Sequence, residues 1–242
     1  AAGHGAVFAL VTTESHYAGS VTVFNKSGEE LLKWSSSDQI VDVDFSPDDS
    51  RLAVACVSFG TRGELIASVH IFDIRKETEL AAPSFTDALP VAVNYKKDGR
   101  IHLVCDSMLA IVEKDLKATK TVPYLRQLQS YAFTHEDTLL ISSDSHEVAS
   151  TITLVSPEGE SRSLTVSSAV TDIAASEDGI CILASSEVRK YSLALELLET
   201  YRVANGVFRV EIAGGRAFSL STSYLNVLEA GKAESEESEV SS

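Results

Sequence analysis

Two histidines are notable in this sequence because each follows an apolar run and has acidic neighbours. His16 ends the segment Thr-Glu-Ser-His, and His146 lies within Ser-Asp-Ser-His-Glu. Imidazoles and carboxylates bind metals and transfer protons. The two histidines lack the sequence spacing of metal ligands, and a solvated loop is the default interpretation of each. We therefore predict no metal site and identify a candidate binding surface formed by five loop side chains: His16, Arg62, Glu64, Asp144 and His146.

Four aspartates, Asp42, Asp44, Asp48 and Asp49, raise the question of a calcium loop. An EF-hand loop needs ligands at alternating positions, a central glycine and a terminal glutamate. Asp42 and Asp44 instead alternate with apolar residues, which predicts a strand. We expect these two side chains on a solvated strand face and the other two in a turn.

Nucleophilic catalysis requires a serine or cysteine beside a positioned base. The sequence has no Gly-x-Ser-x-Gly motif, and Cys56, Cys105 and Cys181 lie in apolar strand segments. Buried cysteine behaves as a small apolar residue, so we predict that all three pack in the core. Gly214 and Gly215 predict a hairpin turn, because no strand-to-helix phosphate-binding pattern surrounds them. We expect no catalytic residue and no cofactor, and we predict that the protein is not an enzyme.

The elements that carry these side chains repeat along the chain. An alternating strand, a tight turn with Asp or Gly, and a second strand recur five times: in residues 40–58, 90–107, 128–145, 169–185 and, more weakly, 207–223. Successive repeats are 50, 38, 42 and 37 residues apart, counted from Phe45, Tyr95, Phe133, Ala175 and Ile212. Short strands with a period near 40 are typical of propeller blades. We therefore predict an all-β fold, a β-propeller of four-stranded antiparallel blades.

The ends of the repeat differ from its middle. The predicted blade built on residues 40–58, the second along the chain, contains four strands: Val41–Phe45, Arg51–Val57, Ile66–Ile74 and Leu80–Ser84. The first predicted blade, with strands Ala6–Thr12, Val21–Asn25 and Leu31–Trp34, lacks an innermost strand, and the last one lacks an outermost strand. We therefore predict an incomplete ring of four full and two partial blades, whose missing strands upstream residues would supply. The predicted propeller domain covers residues 1–229, and residues 230–242 form a predicted acidic, disordered tail.

Charge and hydropathy narrow the choice of partners. The formal net charge is −15, and such a surface repels phosphate backbones, so we exclude nucleic acid. Hydrophobic residues make up 44% of the chain, which is ample for a core. No stretch approaches the ~20 apolar residues of a membrane span.

The segment from Ser20 to Ile74 carries a family resemblance. Its Lys33-Trp34, Ile40–Val43, Ser46–Asp48 and Val69–Asp73 motifs resemble a bacterial propeller family of unknown function with WD40-like repeats, found mostly in Gram-positive gut bacteria. The resemblance covers most of residues 6–229. It implies an N-terminal membrane anchor, an extracytoplasmic propeller and about two further upstream repeats. It supplies no catalytic residues. WD40 and quinoprotein-type propellers share only the general pattern, so a quinone cofactor is unsupported.

These observations lead to one main functional prediction and two alternatives. The main prediction is a non-catalytic, extracytoplasmic binding or scaffold module, held at the cell surface by an upstream anchor, whose ligand is a protein or a glycan. The first alternative is a glycan-directed hydrolase with paired carboxylates around the central channel. The second is an intracellular interaction propeller, which free cysteines permit. The sequence does not indicate the oligomeric state.

Overall fold

The computed structural model of the protein describes residues 7–124, 127–143 and 149–229. This part of the chain contains 23 β-strands and no helix. The strands form six sheets, and all the strand pairs within them for which a register is known are antiparallel. The all-β prediction is confirmed. No segment of the described residues has the helical length and apolarity needed to cross a membrane.

The first three sheets follow one another in the chain. Sheet 1 has the order β1-β2-β3 and contains β1 (Val7–Glu14), β2 (Tyr17–Asn25) and β3 (Glu30–Ser36). Sheet 2 has the order β4-β5-β6-β7, with β8 also paired to β6, and contains β4 (Gln39–Phe45), β5 (Arg51–Phe59), β6 (Leu65–Asp73), β7 (Thr78–Ala81) and β8 (Ser84–Thr86). Sheet 3 has sequential order and contains β9 (Pro90–Tyr95), β10 (Ile101–Cys105), β11 (Met108–Val112) and β12 (Thr119–Pro123).

The remaining three sheets repeat the same sequential order. Sheet 4 contains β13 (Gln127–Phe133), β14 (Thr138–Ser143), β15 (Ser150–Val155) and β16 (Ser161–Val166). Sheet 5 contains β17 (Val170–Ser176), β18 (Gly179–Ala184), β19 (Glu187–Tyr191) and β20 (Leu197–Arg202). Sheet 6 contains β21 (Val207–Ala213), β22 (Arg216–Ser221) and β23 (Leu225–Leu228). Three strands in the first and last sheets, and four or more in the others, match the predicted full and partial blades.

The sheets belong to two compact units. Unit 1 comprises the chain up to Gln127 together with residues 156–160, and unit 2 comprises the rest. Within unit 1, β4 of sheet 2 packs against β9 of sheet 3; within unit 2, β17 of sheet 5 packs against β21 of sheet 6. The single domain predicted over residues 1–229 stays a prediction, and residues 230–242 lie outside the described part of the chain.

The fourth strand of the second predicted blade is the one element whose boundaries differ clearly from the prediction. A single strand over Leu80–Ser84 was expected, whereas β7 and β8 are separate and pair with different parts of β6. Pro83 lies in the interruption and has no N–H to donate to a ladder. Its carbonyl oxygen still accepts the backbone N–H of Val69 (3.0 Å). The proline therefore divides the outer strand while one backbone hydrogen bond keeps it attached.

The core follows the strand alternation. Alternate side chains of β5, β6 and β10 pack between neighbouring sheets of unit 1. Cys56, Cys105 and Cys181 are free and fully buried, so their predicted core packing is confirmed. Burial raises their thiol pKa values, to about 12 for Cys56 and Cys105 and about 11 for Cys181, so all three remain neutral apolar groups at physiological pH.

Candidate functional site

The predicted loop side chains fall on separate turns. His16 is exposed in the short turn between β1 and β2, and Arg62 is exposed in the loop between β5 and β6. Glu64 is half-buried in that loop, and its carboxylate accepts the backbone N–H of Arg62 (2.9 Å). Within the described residues, His16 makes no hydrogen bond to this loop. Asp144 and His146 lie outside the described residues, so the shared binding surface stays a prediction.

The aspartates of the inner strand β4 do not lie on a solvated face, and this expectation was wrong. Asp42 accepts the backbone N–H of Val93 (3.0 Å), and Asp44 accepts that of Tyr95 (2.8 Å) and the amide of Asn94 (3.0 Å). The carboxylates thereby provide hydrogen-bond acceptors for backbone N–H groups of β9, the inner strand of the next sheet. Burial raises the pKa of Asp44 above its ordinary value even though these hydrogen bonds act in the opposite direction.

A hydrogen-bonded Ser-His-Glu series lies on the outer half of sheet 2. His70 Nδ1 is 2.7 Å from Glu79 Oε1, and its Nε2 is 3.3 Å from the Ser68 hydroxyl. The Trp34 ring lies 4.7 Å from the imidazole. This order of groups is that of a nucleophilic relay. Ser68 is only 7% exposed, however, so the arrangement holds the imidazole against Trp34 rather than presenting a nucleophile.

The sequence analysis missed this series because its members come from two strands. Ser68 and His70 alternate along β6, which places them on one face of the sheet. Glu79 reaches them from β7, where it pairs with Phe72 across an irregular register. A Ser-x-His alternation in a predicted strand is the only sequence signal, and it does not specify which acid lies opposite.

A polar cleft opens between two successive strand-connecting turns of unit 1. It has a volume of about 340 Å³ and lies between the β4–β5 turn and the β9–β10 turn. Its lining includes Arg51, Tyr95 and Lys97, together with the turn residues Asp48 and Asp98. The predicted strand-turn-strand unit therefore places charged side chains from two neighbouring sheets around one opening.

The β4–β5 turn is rigid because Asp48 organises it. Asp48 Oδ1 accepts the hydroxyls of Ser46 (2.7 Å) and Ser50 (2.8 Å) and the backbone N–H of Ser50 (3.2 Å). The hydroxyl hydrogen bonds, that from Ser46 first, lower the pKa of Asp48 to about 2. The Ser46 hydroxyl in turn accepts the backbone N–H of Arg51 (2.9 Å). Such side-chain-to-backbone hydrogen bonding is typical of aspartate in tight turns, and the turn predicted for Asp48 and Asp49 is confirmed.

The β9–β10 turn is fixed by an ion-pair network. Arg100 contacts Asp98, Glu113 (2.7 Å) and Glu158 (3.0 Å), and Lys114 lies 3.1 Å from Asp98. Although partial burial raises it, the pKa of Asp98 is lowered overall by the Arg100 backbone N–H and the Lys114 ammonium. Asp98 is therefore an ionised carboxylate that already has cationic partners.

A family comparison follows from the sequence as a whole. The model of a family of unknown function, DUF5711, matches residues 2–216. The chain belongs to this family. No curated protein matches the sequence.

Solved structures establish the fold of this DUF5711 member. A structure titled as the Dos1 propeller aligns with a TM-score of 0.59 at 12% identity, over 95% of this chain and 70% of that one. A structure of Kuenenia stuttgartiensis hydrazine synthase aligns with a TM-score of 0.56 at 11% identity, over 83% and 67% respectively. Such low identities support the fold alone. The predicted β-propeller fold is confirmed.

Within the described part of this DUF5711 chain, no three His, Cys, Asp or Glu side chains come together in a way that could hold a metal ion. His102 is fully buried, and burial lowers its pKa to about 3. Its imidazole is therefore neutral, and Nε2 lies 3.3 Å from the carbonyl oxygen of Pro157. This histidine is part of the packing of sheet 3.

Proposed function

We propose that this DUF5711 propeller is a non-catalytic binding module that takes a glycan or a protein outside the cytoplasm. The observation that carries the proposal is the cleft between the two turns of unit 1, which is lined by Arg51 and Lys97. Neither side chain makes a hydrogen bond or ion pair with the described residues. Polar groups held in place on rigid turns, without partners of their own, are suited to binding a ligand.

The position of the Ser-His-Glu series supports a role without catalysis. A nucleophile must be within reach of the carbonyl or glycosidic carbon that it attacks. Ser68 lies in β6 with its hydroxyl facing His70, and the residue is nearly fully buried. The imidazole also lies against Trp34, which limits its approach to any substrate.

One observation favours the alternative of a glycan-directed hydrolase. Burial raises the pKa of Asp44, and Asp42 lies two residues away on the same strand. A glycosidase pairs a carboxyl of raised pKa with an ionised one. Both carboxylates, however, accept backbone N–H groups of β9, and those hydrogen bonds hold the two sheets together. Support for binding alone is therefore stronger than support for hydrolysis.

The proposed location outside the cytoplasm rests on the family resemblance of residues 20–74. Cleavage of the protein by added protease in intact cells of the source organism tests it. Complete protection, with cleavage only after the cells are broken, would contradict this part of the proposal.

The binding role is tested with the purified chain and a panel of acidic and neutral oligosaccharides. Retention of at least one glycan on the immobilised protein, with no cleavage products by mass spectrometry, is the expected result. The Asp44→Asn variant is the control for hydrolysis. Product formation that disappears in this variant would establish the hydrolase alternative instead.

A further inference from the structure

The cleft of unit 1 has hydrogen-bonding capacity that the protein does not use. Arg51 is half-buried and Lys97 is exposed, and neither guanidinium nor ammonium pairs with a carboxylate among the described residues. Tyr95, also in the lining, is 6% exposed, and its buried hydroxyl has no hydrogen-bond partner in the part of the chain that the structure describes. An unsatisfied buried hydroxyl is costly and is uncommon in native proteins. All three unused groups are donors.

The nearby carboxylates do not supply the missing acceptors. Asp98 is paired with Arg100 and Lys114, and Asp48 Oδ1 receives three hydrogen bonds from its own turn. Asp48 Oδ2 has no partner among the described residues and can accept a hydroxyl group. Burial raises the pKa of the Tyr95 phenol, which keeps this group protonated and therefore a donor. The cleft is thus complementary to a carboxylate with adjacent hydroxyl groups.

The equivalent turns of unit 2 are arranged differently. There, the Asp178 carboxylate accepts the backbone N–H of Gly215 (2.8 Å), so the two turns are bonded to each other. The Gly215 carbonyl accepts the Lys190 ammonium (2.6 Å). Ile212 occupies the position equivalent to Tyr95 and leaves no hydroxyl unsatisfied. The unused donors of unit 1 are therefore not a requirement of the repeat.

We infer that this cleft binds a uronic acid residue of a glycan, with the sugar carboxylate on Arg51 and Lys97 and the Tyr95 hydroxyl as a further donor. The guanidinium fork matches a carboxylate in bidentate geometry. The volume of about 340 Å³ is at the small end of ligand sites and accommodates one sugar residue. Asp48 and Asp98 at the rim disfavour a more highly charged phosphate, while Asp48 can accept a ring hydroxyl. This inference rests on the proposed glycan-binding function and specifies its site.

The test is a calorimetric titration of the whole chain with methyl glucuronide, methyl glucoside, acetate and inorganic phosphate. We expect the strongest binding for the glucuronide, because only this probe has both the carboxylate and the hydroxyl groups. Arg51→Gln should raise its Kd about tenfold or more, since a charge-assisted bidentate contact is lost. Arg216→Gln, at the exposed turn of unit 2, is the matched control and should leave the Kd unchanged.

The inference would be overturned by no binding of the glucuronide, by equal binding of the glucoside, or by a glucuronide Kd that Arg51→Gln does not change. A phosphate Kd lower than that of the glucuronide would also contradict the inference and indicate a general anion site.

The same experiments distinguish failure of this inference from failure of the proposed function. If the glycan panel binds but Arg51→Gln has no effect, the glycan site lies elsewhere and the binding role stands. If neither the panel nor the glucuronide binds, both fail.

Discussion

The β4/β9 pair of unit 1 and the β17/β21 pair of unit 2 are built on the same plan but end differently. In both, an inner-strand aspartate accepts a backbone N–H of the next inner strand: Asp42 that of Val93 (3.0 Å) and Asp172 that of Val210 (2.7 Å). These positions coincide when the repeats are aligned. The difference lies beyond them, where the turns of unit 1 leave an open cleft and those of unit 2 are hydrogen-bonded.

This difference separates scaffold from candidate site. The shared aspartate contact belongs to the scaffold, since it recurs in unit 2, where the two turns are hydrogen-bonded to each other. The second aspartate of β4, the tyrosine hydroxyl and the arginine after the β4–β5 turn are present in unit 1 and are replaced by other residue types at the equivalent positions of unit 2. By strand register, Arg51 corresponds to Gly179 of unit 2. We therefore assign binding to the residues that differ between the two units. This assignment can be tested at each of those positions.

The largest effect is expected at Gly179, the unit 2 counterpart of Arg51. Gly179 has a φ of +133°, and a Cβ there would collide with the backbone carbonyl of Tyr191. Gly179→Ala should therefore lower the free energy of unfolding by about 3 kcal/mol, from backbone strain and overpacking together. Chemical denaturation of the purified variant measures this. Arg51→Gly is the matched change and should have little effect on the free energy of unfolding. Equal losses of stability at both positions would contradict the difference described between the two units.

The next effect concerns the shared aspartate contact. Asp172→Ala should cost about 1–3 kcal/mol, because the buried N–H of Val210 loses its acceptor. Asp42→Ala should cost less, because Asp44 still holds β9 through Tyr95. Thermal unfolding of both variants at neutral pH provides the measurement. A larger loss for Asp42→Ala than for Asp172→Ala would show that the two pairs are not held in the same way.

A smaller effect, of opposite sign, is expected at Tyr95. Its hydroxyl has no hydrogen-bond partner within residues 7–124, 127–143 and 149–229, so Tyr95→Phe should leave stability unchanged or raise it by up to about 1 kcal/mol. Most buried tyrosine hydroxyls are hydrogen-bonded, and their removal destabilises. Chemical denaturation of Tyr95→Phe beside the wild-type protein measures the sign of this effect. A clear loss of stability would mean that the hydroxyl has a structural partner and is not available to a ligand.

The smallest effect is the pH dependence of the β4 contact. The pKa of Asp44 in the folded protein is raised above its ordinary value of 3.8, so the folded protein binds this proton more tightly than the unfolded chain does. The free energy of unfolding therefore falls as pH rises from 3.8 through the folded-state pKa. Asp44→Asn removes this loss, so the Tm of the variant relative to wild type should increase as pH rises. Asp98, whose pKa is lowered, is the control: the relative Tm of Asp98→Asn should decrease as pH rises. The same trend in both variants would contradict the assigned causes.

The sequence predicted the scaffold well because each of its signals is local. Alternation of period two and turn residues such as Ser46-Pro47-Asp48 specify a strand, a tight turn and a second strand within about 20 residues. The partial sheets at both ends follow from the same register. The division of the outer strand at Pro83 was missed because residues 80–84 alone do not show which part of β6 each half would meet.

The site could not be predicted because its determinants lie about 50 residues apart. Asp42 and Asp44 appeared solvated because their partners are backbone N–H groups of β9, which no side-chain pattern reveals. Only the folded structure shows that no acceptor among the described residues lies within hydrogen-bonding distance of the Tyr95 hydroxyl. Arg51 is the first residue of a strand, and its position in the sequence is that of an ordinary surface cation. Only the folded arrangement of the two turns brings the unused donors together.

The most direct test of the account is an NMR titration of the ¹⁵N-labelled chain with methyl glucuronide, because it reports binding and location together. The account predicts saturable shift changes of the backbone amides in residues 46–51 and 95–99, and none in residues 176–179 and 213–216. The sugar signals should remain those of the intact glycoside. Equal changes at both pairs of turns, no change at residues 46–51, or conversion of the glycoside would contradict the claim that unit 1 carries a non-catalytic binding site.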